Sequence, residues 1–272
     1  MKTILITGAV RGIGRDTAFA LAKRGHRVIA TVHRAPQVAD LEASAVRENC
    51  TIDVRTLDIT SDADVASVDW NAIDVVINNA AMNESGPMAE VPIDRVEKMM
   101  QTNILGTLRV TQHAAAAMLR RKSGRIILVT SVAGRIILPY LGPYSMTKFA
   151  LEGIGDALRM ELSSHGISVS MIEPGLIATG FNEQMAAQKY EWISPSSAFA
   201  NDIPAMKKHD EGITKSSYDS SSVVEAMIHA VESTTPKARY TRPKIYGLML
   251  IVAKFMPTTI LDRVMRKFAG LK

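Results

Sequence analysis

The stretch TGAVRGIG, Thr7 to Gly14, follows a short apolar run, Ile4-Leu5-Ile6, and precedes an amphipathic one that continues to Arg24. The first run reads as a strand and the second as a helix, so the glycines lie in the turn that joins them. Gly8, Gly12, Ile13 and Gly14 there let the backbone come close to a pyrophosphate. The helix N-terminus adds unpaired N–H groups and the positive end of its dipole. The spacing is TGxxxGxG and departs from the more familiar GxGxxG, so the rest of the chain decides what the loop does.

Working outward, Val- and Ile-rich runs recur at Thr3 to Thr7, Arg27 to Val32, Thr51 to Leu57, Ile73 to Asn78, Gly124 to Thr130 and Ile167 to Ile172. Helical patterns separate them, the longest at Arg95 to Arg121 and Tyr144 to Ser164. Strands apolar on both faces and alternating with helices predict an α/β fold, a Rossmann-like doubly wound parallel sheet. Ligands in such folds sit beyond the carboxyl ends of the strands. One domain is expected over residues 1–272. Its regular alternation stops near Thr179, and residues from about 180 to 222 read as a substrate lid carrying isolated aromatics. Residues from about 243 to 272 form a helical extension.

Composition excludes several classes. The formal charge is +5, but the basic residues are scattered and only 5% of residues are aromatic, so no nucleic-acid partner is expected. A single cysteine, Cys50, rules out an intramolecular disulfide and fits a cytoplasmic location. The six histidines are dispersed and no HExxH occurs, so no metal site is expected. GxSxG is also absent, which argues against an α/β-hydrolase. No segment reaches the roughly 18 apolar residues of a membrane-spanning helix.

Tyr144 and Lys148 stand four apart in the run YSMTK, on one face of a helix. A phenol is a poor base at neutral pH, and an adjacent ammonium would lower its pKa and fit it for proton transfer to or from a carbonyl oxygen. Ser131, at the carboxyl end of a strand, stands where its hydroxyl can meet the same oxygen.

These motifs together resemble the short-chain dehydrogenase/reductase superfamily, in its small single-domain branch, and the resemblance extends from the first strand to about Thr179. It implies that Asn103, Ser131, Tyr144 and Lys148 are the catalytic residues, with Asn103 supporting a water and Lys148 also gripping the nicotinamide ribose. It further implies cofactor contacts from Asp58 and Ile59, from Asn79 and Ala80 in the run Asn78-Asn79-Ala80-Ala81, and from Pro174, Gly175, Ile177 and Thr179.

The end of the second strand bears on the choice of cofactor. NAD-specific members of the family place an acid there, and this chain has Val32, followed by His33 and Arg34. Arg11 in the glycine loop points to the same corner, and with no acid opposing these side chains the expectation is NADP(H) over NAD(H).

The approach to the tyrosine, Leu138-Pro139-Tyr140-Leu141, is apolar or aromatic, and no lysine or arginine occurs from Ile136 to Met146. A neutral, hydrophobic ketone or aldehyde and its alcohol are the expected substrates of this oxidoreductase. Met99, Met100, Met185, Met249 and Met256 fit either a substrate wall or core filling. A 3-oxoacyl-thioester reductase is the alternative enzyme, and a non-catalytic dinucleotide-binding sensor or scaffold the alternative of another class. The resemblance implies a homodimer or homotetramer. The segment Tyr246 to Lys272 reads either as a membrane-surface helix or as one packed on the lid or a partner subunit, the second favoured because Pro257 interrupts the pattern.

Overall fold

Strands such as TILI and VVIN need cover on both faces, and the computed structural model, which describes residues 1–271, provides it. Seven strands form one sheet: β1 (Thr3–Ile6), β2 (Arg27–Val32), β3 (Asp53–Thr56), β4 (Val75–Asn78), β5 (Gly124–Val129), β6 (Ile167–Pro174) and β7 (Arg239–Arg242). Their spatial order is 3-2-1-4-5-6-7, and every neighbouring pair is parallel. Between the strands run α1 (Gly12–Lys23), α2 (Pro36–Arg47), α3 (Asp62–Ala66), α4 (Ile93–Met100), α5 (Thr107–Arg121) and α6 (Gly142–Leu162). After β6 come α7 (Phe181–Trp192), α8 (Ile203–Lys215) and α9 (Ser221–Glu232), and after β7 come α10 (Lys244–Phe255) and α11 (Thr258–Phe268).

Alternation along each strand sends side chains to two cores. Ile4 and Ile6 join Phe19 and Leu21 of α1 and Val223 and Met227 of α9. Leu5, between them, points the other way and packs with Val110 and Met118 of α5. Leu5, Met118 and Met227 are all but fully buried. Cutting Leu5 to alanine would cost about 2–5 kcal/mol through lost burial and the cavity left behind.

The sequence reading located six of the seven strands. It passed over β7, whose residues RYTR carry an arginine at each end and only Tyr240 as an apolar surface, and which become a strand by pairing with β6. The helix expected from Arg95 to Arg121 is α4 and α5 joined by a π-helical turn at Gln101–Gly106. The region from 180 to 222 holds α7 and α8 and is tied back to the sheet side by a bridge between Ile177 and Tyr218. The chain reverses sheet direction between β1 and β4, so the carboxyl ends of these two strands flank the crevice where doubly wound folds bind ligands.

Candidate active site

The glycine loop leaves β1 at that crevice. Gly8 and Gly12 have φ of +67° and +57°, values that L side chains rarely adopt. A Cβ on Gly8 would lie 2.7 Å from Ala80 Cα, and one on Gly12 2.7 Å from Thr179 Cβ. Asn79 braces the loop, its Nδ2 donating to the carbonyls of Thr7 and Gly8 at 3.0 and 2.9 Å. The Thr7 hydroxyl accepts from the N–H groups of Asn79 and Ala80, both at 3.0 Å. Sequence reasoning missed this threonine, although its place at the end of β1, against the glycine, was a usable signal. The first turn of α1 has no side-chain cap and no acid, so its N–H groups remain available for an anion.

A cavity of about 1470 Å³ runs from this loop to Tyr144. It exceeds the roughly 300–1,000 Å³ of a drug-sized site and has room for a dinucleotide and a substrate together. The glycine cradle, the uncapped helix end and this volume fit a nicotinamide dinucleotide. Gly8, Arg11, Gly12, Ile13, Asp58 and Ile59 line one end, and Asn79, Ala80, Pro174, Gly175, Ile177 and Thr179 also face the space. Gly14 lies behind the loop against Asn79. Gly175 donates its N–H to the Arg242 carbonyl at 2.7 Å and packs on the ring of Tyr246. Ala81 has no positive φ, so alanine is accommodated there.

The basic corner differs from expectation. His33 Nε2 stands 3.4 Å from Asp58 Oδ2, so an acid does oppose it. Parallel pairing of β2 and β3 sets Val32 beside Thr56 and brings the residues that follow each strand together. The Arg11 guanidinium donates to Gln184 Oε1 on α7. Arg34 lines the cavity, and its guanidinium has no hydrogen-bond or ion-pair partner among the described residues. Val32 is buried and brings no carboxylate to this corner.

At the other end, α6 presents Tyr144 and Lys148, and Ser131 follows β5. The Ser131 hydroxyl accepts from Ala133 N–H at 3.1 Å and donates to the Pro174 carbonyl at 3.3 Å, within reach of the phenol. Lys148 Nζ donates to the Val129 carbonyl at 2.8 Å and lies 5.6 Å from the centroid of the Tyr144 ring. Burial pushes the Lys148 ammonium down to about 8, with Glu152 opposing the fall. Burial also pushes the Tyr144 phenol up, and Ser131 only partly offsets this. The expected lowering of the phenol by Lys148 is therefore not met: the shift is set by desolvation of the buried ring, opposed only by Ser131. At neutral pH Tyr144 holds its proton.

Asn103 sits in the π-helical turn, fully buried. Its Oδ1 accepts from Met82 N–H at 2.7 Å, and its Nδ2 donates to the Met82 carbonyl at 2.9 Å and to Thr147 Oγ1 at 3.0 Å. Thr147 in turn donates to the Tyr144 carbonyl at 2.8 Å. The amide thus ties the loop after β4 to the helix that carries the tyrosine. Sequence reasoning missed Thr147, which only its place inside YSMTK marked out.

The wall beyond Tyr144 is largely apolar: Ile136, Leu138, Leu141, Phe181, Met185 and Met206. Phe181 packs against Tyr144 with ring centroids 5.7 Å apart. Met100 and Met249 also face the cavity, whereas Met99 is buried beside Tyr144 and Met256 stands away. Polar side chains appear farther out, where Lys189 and Tyr190 both bond Asp210, at 2.8 and 2.7 Å. The extension closes this end, with Met265, Phe268 and Ala269 lining the cavity and Phe268 meeting His209 edge-on at 5.6 Å. Part of the extension is therefore packed on α8. Among the described residues, no three metal-binding side chains are grouped to hold an ion.

The family model for short chain dehydrogenases matches residues 2–190. An uncharacterized oxidoreductase of Escherichia coli K12, YbbO, is 30% identical over 269 residues, 97% of this chain and 94% of its own. Human retinol dehydrogenase 8 is 31% identical over 252 residues, 88% of this chain and 80% of its own. Among solved structures, a variant of actinorhodin polyketide ketoreductase with NADPH superimposes with a TM-score of 0.72 at 27% identity, covering 89% of this chain and 95% of that one. The chain belongs to the short-chain dehydrogenase/reductase family and is an oxidoreductase of the kind that binds a nicotinamide dinucleotide.

Proposed function

We propose that this protein is an NADP(H)-dependent oxidoreductase interconverting a neutral, hydrophobic ketone or aldehyde with its alcohol, in one domain whose residues 180–222 act as the lid. The observation that carries the reading is the meeting of Ser131, Tyr144 and Lys148 at the apolar end of a cavity that begins at the glycine loop. When bound, the nicotinamide supplies or accepts the hydride. The α1 N-terminus and the loop of Gly8, Gly12 and Ile13 would hold the pyrophosphate, Asp58 and Ile59 the adenine end, and Lys148 the nicotinamide ribose. Arg34 supports the NADP(H) preference as an unpaired guanidinium at the end of β2, a group suited to a 2′-phosphate.

In the reductive direction the Ser131 hydroxyl turns from the Pro174 carbonyl to the substrate oxygen, which also accepts a hydrogen bond from Tyr144, and the phenol passes it a proton. A neutral phenol is the form this step needs. Asn103 and Thr147 hold the first turn of α6 so that the phenol stays aimed at the oxygen. Apolar side chains from α7 and α8 exclude water from that transfer. Assembly as a homodimer or homotetramer belongs to the same proposal, and light scattering of the purified chain tests it.

The decisive experiment follows NADPH and NADH oxidation against aryl, alicyclic and steroid ketones and small keto acids, with Tyr144→Phe beside the wild type. Phenylalanine keeps the packing on Phe181 and Met185 and loses only the acid. Turnover should drop by about 10²–10⁴-fold with the NADPH dissociation constant changed less than twofold. A Phe variant as active as the wild type, or faster reduction of keto acids than of apolar ketones, overturns the reading.

A further inference from the structure

The cavity occupies only one face of the extension. Tyr246 and Met249 of α10 and Met265 of α11 look inward. The opposite face of α10 carries Ile245, Leu248, Val252 and Phe255, at helical spacing and between 52% and 79% exposed, with Ile251 beside them. Ile260 and Val264 of α11 are also exposed, at 47% and 44%. Isolated exposed apolar residues are ordinary, but a stripe along the whole of one helix, followed by further exposed apolar residues on the next, marks a contact surface.

Charge identifies what the stripe meets. Residues 244–272 hold six of the chain's 32 lysines and arginines and only one of its 27 acids, Asp262. The whole formal excess of +5 therefore falls in this segment, and the rest of the chain is balanced. Counted alone, the basic residues look scattered along the sequence, and it is the scarcity of acids that makes this segment basic. Lys244, Lys254, Arg263 and Lys267 are exposed on the same two helices. A second copy of so basic a face across a twofold axis would bring like charges together without acids to pair them. An anionic phospholipid surface supplies both the apolar layer and the opposite charge. No helix among the described residues is long and apolar enough to cross a membrane, so the helices would lie in the surface plane.

We propose that α10 and α11 dock the enzyme on an anionic phospholipid bilayer, with Leu248, Val252 and Phe255 inserted among the acyl chains and Lys254, Arg263 and Lys267 at the headgroups. The inner faces of the same helices line the cavity. A membrane-dissolved substrate would then enter from the docked side, a consequence that rests on the hydrophobic-substrate reading above.

Co-sedimentation of the full chain with vesicles tests the docking without reference to turnover, so it stands or falls apart from the proposed reaction. Binding should appear with vesicles rich in phosphatidylglycerol, be weak with pure phosphatidylcholine, and fall as salt is raised from about 0.1 M to about 1 M. Each basic residue removed should weaken partitioning about fivefold, the equivalent of about 1 kcal/mol, so the double variant Lys254→Glu, Arg263→Glu should lose at least about 25-fold. Leu248→Glu combined with Phe255→Glu should abolish binding while leaving NADPH affinity unchanged, which shows that the variant is folded. Equal partitioning onto neutral and anionic vesicles, or none onto either, overturns the proposal. So does a wild type that is dimeric by light scattering and becomes monomeric in the Leu248→Glu, Phe255→Glu variant without any vesicle binding, because the stripe would then be a subunit interface.

Discussion

Replacing Gly8 with alanine separates two costs that a glycine at positive φ usually confounds. Gly25 provides the control: its φ is +84°, and a Cβ there would meet nothing within 4 Å. Gly25→Ala should therefore cost only the left-handed conformation, about 1–2 kcal/mol. At Gly8, with φ of +67°, the same cost applies, but the new Cβ also meets Ala80 Cα at 2.7 Å. Carbon atoms in comfortable contact stand about 3.5–4.0 Å apart, so close to 1 Å must be absorbed. Ala80 cannot yield easily, because its N–H and that of Asn79 both donate to the Thr7 hydroxyl and Asn79 Nδ2 holds the loop carbonyls. Overpacking of this kind adds about 1–3 kcal/mol, which brings the total to about 2–5 kcal/mol. Because the loop is what moves, NADPH affinity should fall at least about tenfold, in line with the steep cost of misplacing a binding group. Urea unfolding measures the first effect and NADPH fluorescence titration the second. If Gly8→Ala is no less stable than Gly25→Ala, or binds NADPH as the wild type does, the account of the loop as a rigid cradle is wrong.

Three further expectations follow from the electrostatics. Lys148, held near 8 by burial, is an ammonium below that pH and a neutral amine above it. Then kcat/KM for reduction should decline above pH 8, and a profile flat to pH 10 would remove Lys148 charge from the mechanism. Its folded form binds fewer protons than the unfolded chain between about 8 and its ordinary 10.5, so unfolding free energy contributed by this group rises with pH across that window. Arg34→Ala should raise the NADPH dissociation constant by about 10–100-fold, the loss of a charge-assisted hydrogen bond of about 1.5–3 kcal/mol, with NADH affinity unchanged. An equal loss for both cofactors would place Arg34 outside the 2′-phosphate site. Glu232, hydrogen-bonded by Arg24 at 2.6 and 2.7 Å and next by His26 at 3.1 Å, is held down to about 2. Its contribution is present above its ordinary 4.5 and lost as pH falls toward 2. The pair is solvent-screened, so Glu232→Gln should cost no more than about 0.5–1 kcal/mol at pH 7 and nothing near pH 2, which urea midpoints at the two pH values would measure.

What could be read from the sequence was what local pattern encodes. Ile4-Leu5-Ile6 and Val75-Val76-Ile77 announce buried strands because both faces must be apolar, and YSMTK sets Tyr144 and Lys148 on one helical face whatever surrounds it. The turn at Gln101–Gly106 could not be read, because widening one helical turn leaves the residue pattern helical. The His33–Asp58 pair was hidden for a different reason: it depends on the register of β2 against β3, which no window within either strand contains. Helices α7 and α8 read as loop because several of their side chains are fixed by polar tethers and not by an apolar stripe. Trp192 donates to Glu84 at 3.2 Å and Tyr190 to Asp210 at 2.7 Å.

The strand that was missed bears most on the chemistry. Lys148 can keep an ammonium in a dry site only if the charges behind it are balanced, and Glu152, one helical turn on, raises its proton affinity. Glu152 is itself buried and pushed upward by desolvation, and the carboxylate of Glu173 nearby adds to that push. Arg239 of β7 answers both acids: its Nε donates to Glu152 at 3.0 Å and lies 3.2 Å from Glu173, while Nη2 donates to Asp156 at 2.7 Å. Arg135 Nη1 donates to the same Oε1 of Glu173 at 2.8 Å, and the Thr241 hydroxyl donates to its Oε2. Without such cations, two buried carboxylates would either take up protons or draw a proton more tightly onto Lys148, and a buried charge left unpaired is costly. The polar composition that concealed β7 from a hydrophobicity pattern is thus what the site requires there, since a fully apolar strand could not have carried the guanidinium that balances the acids behind Lys148.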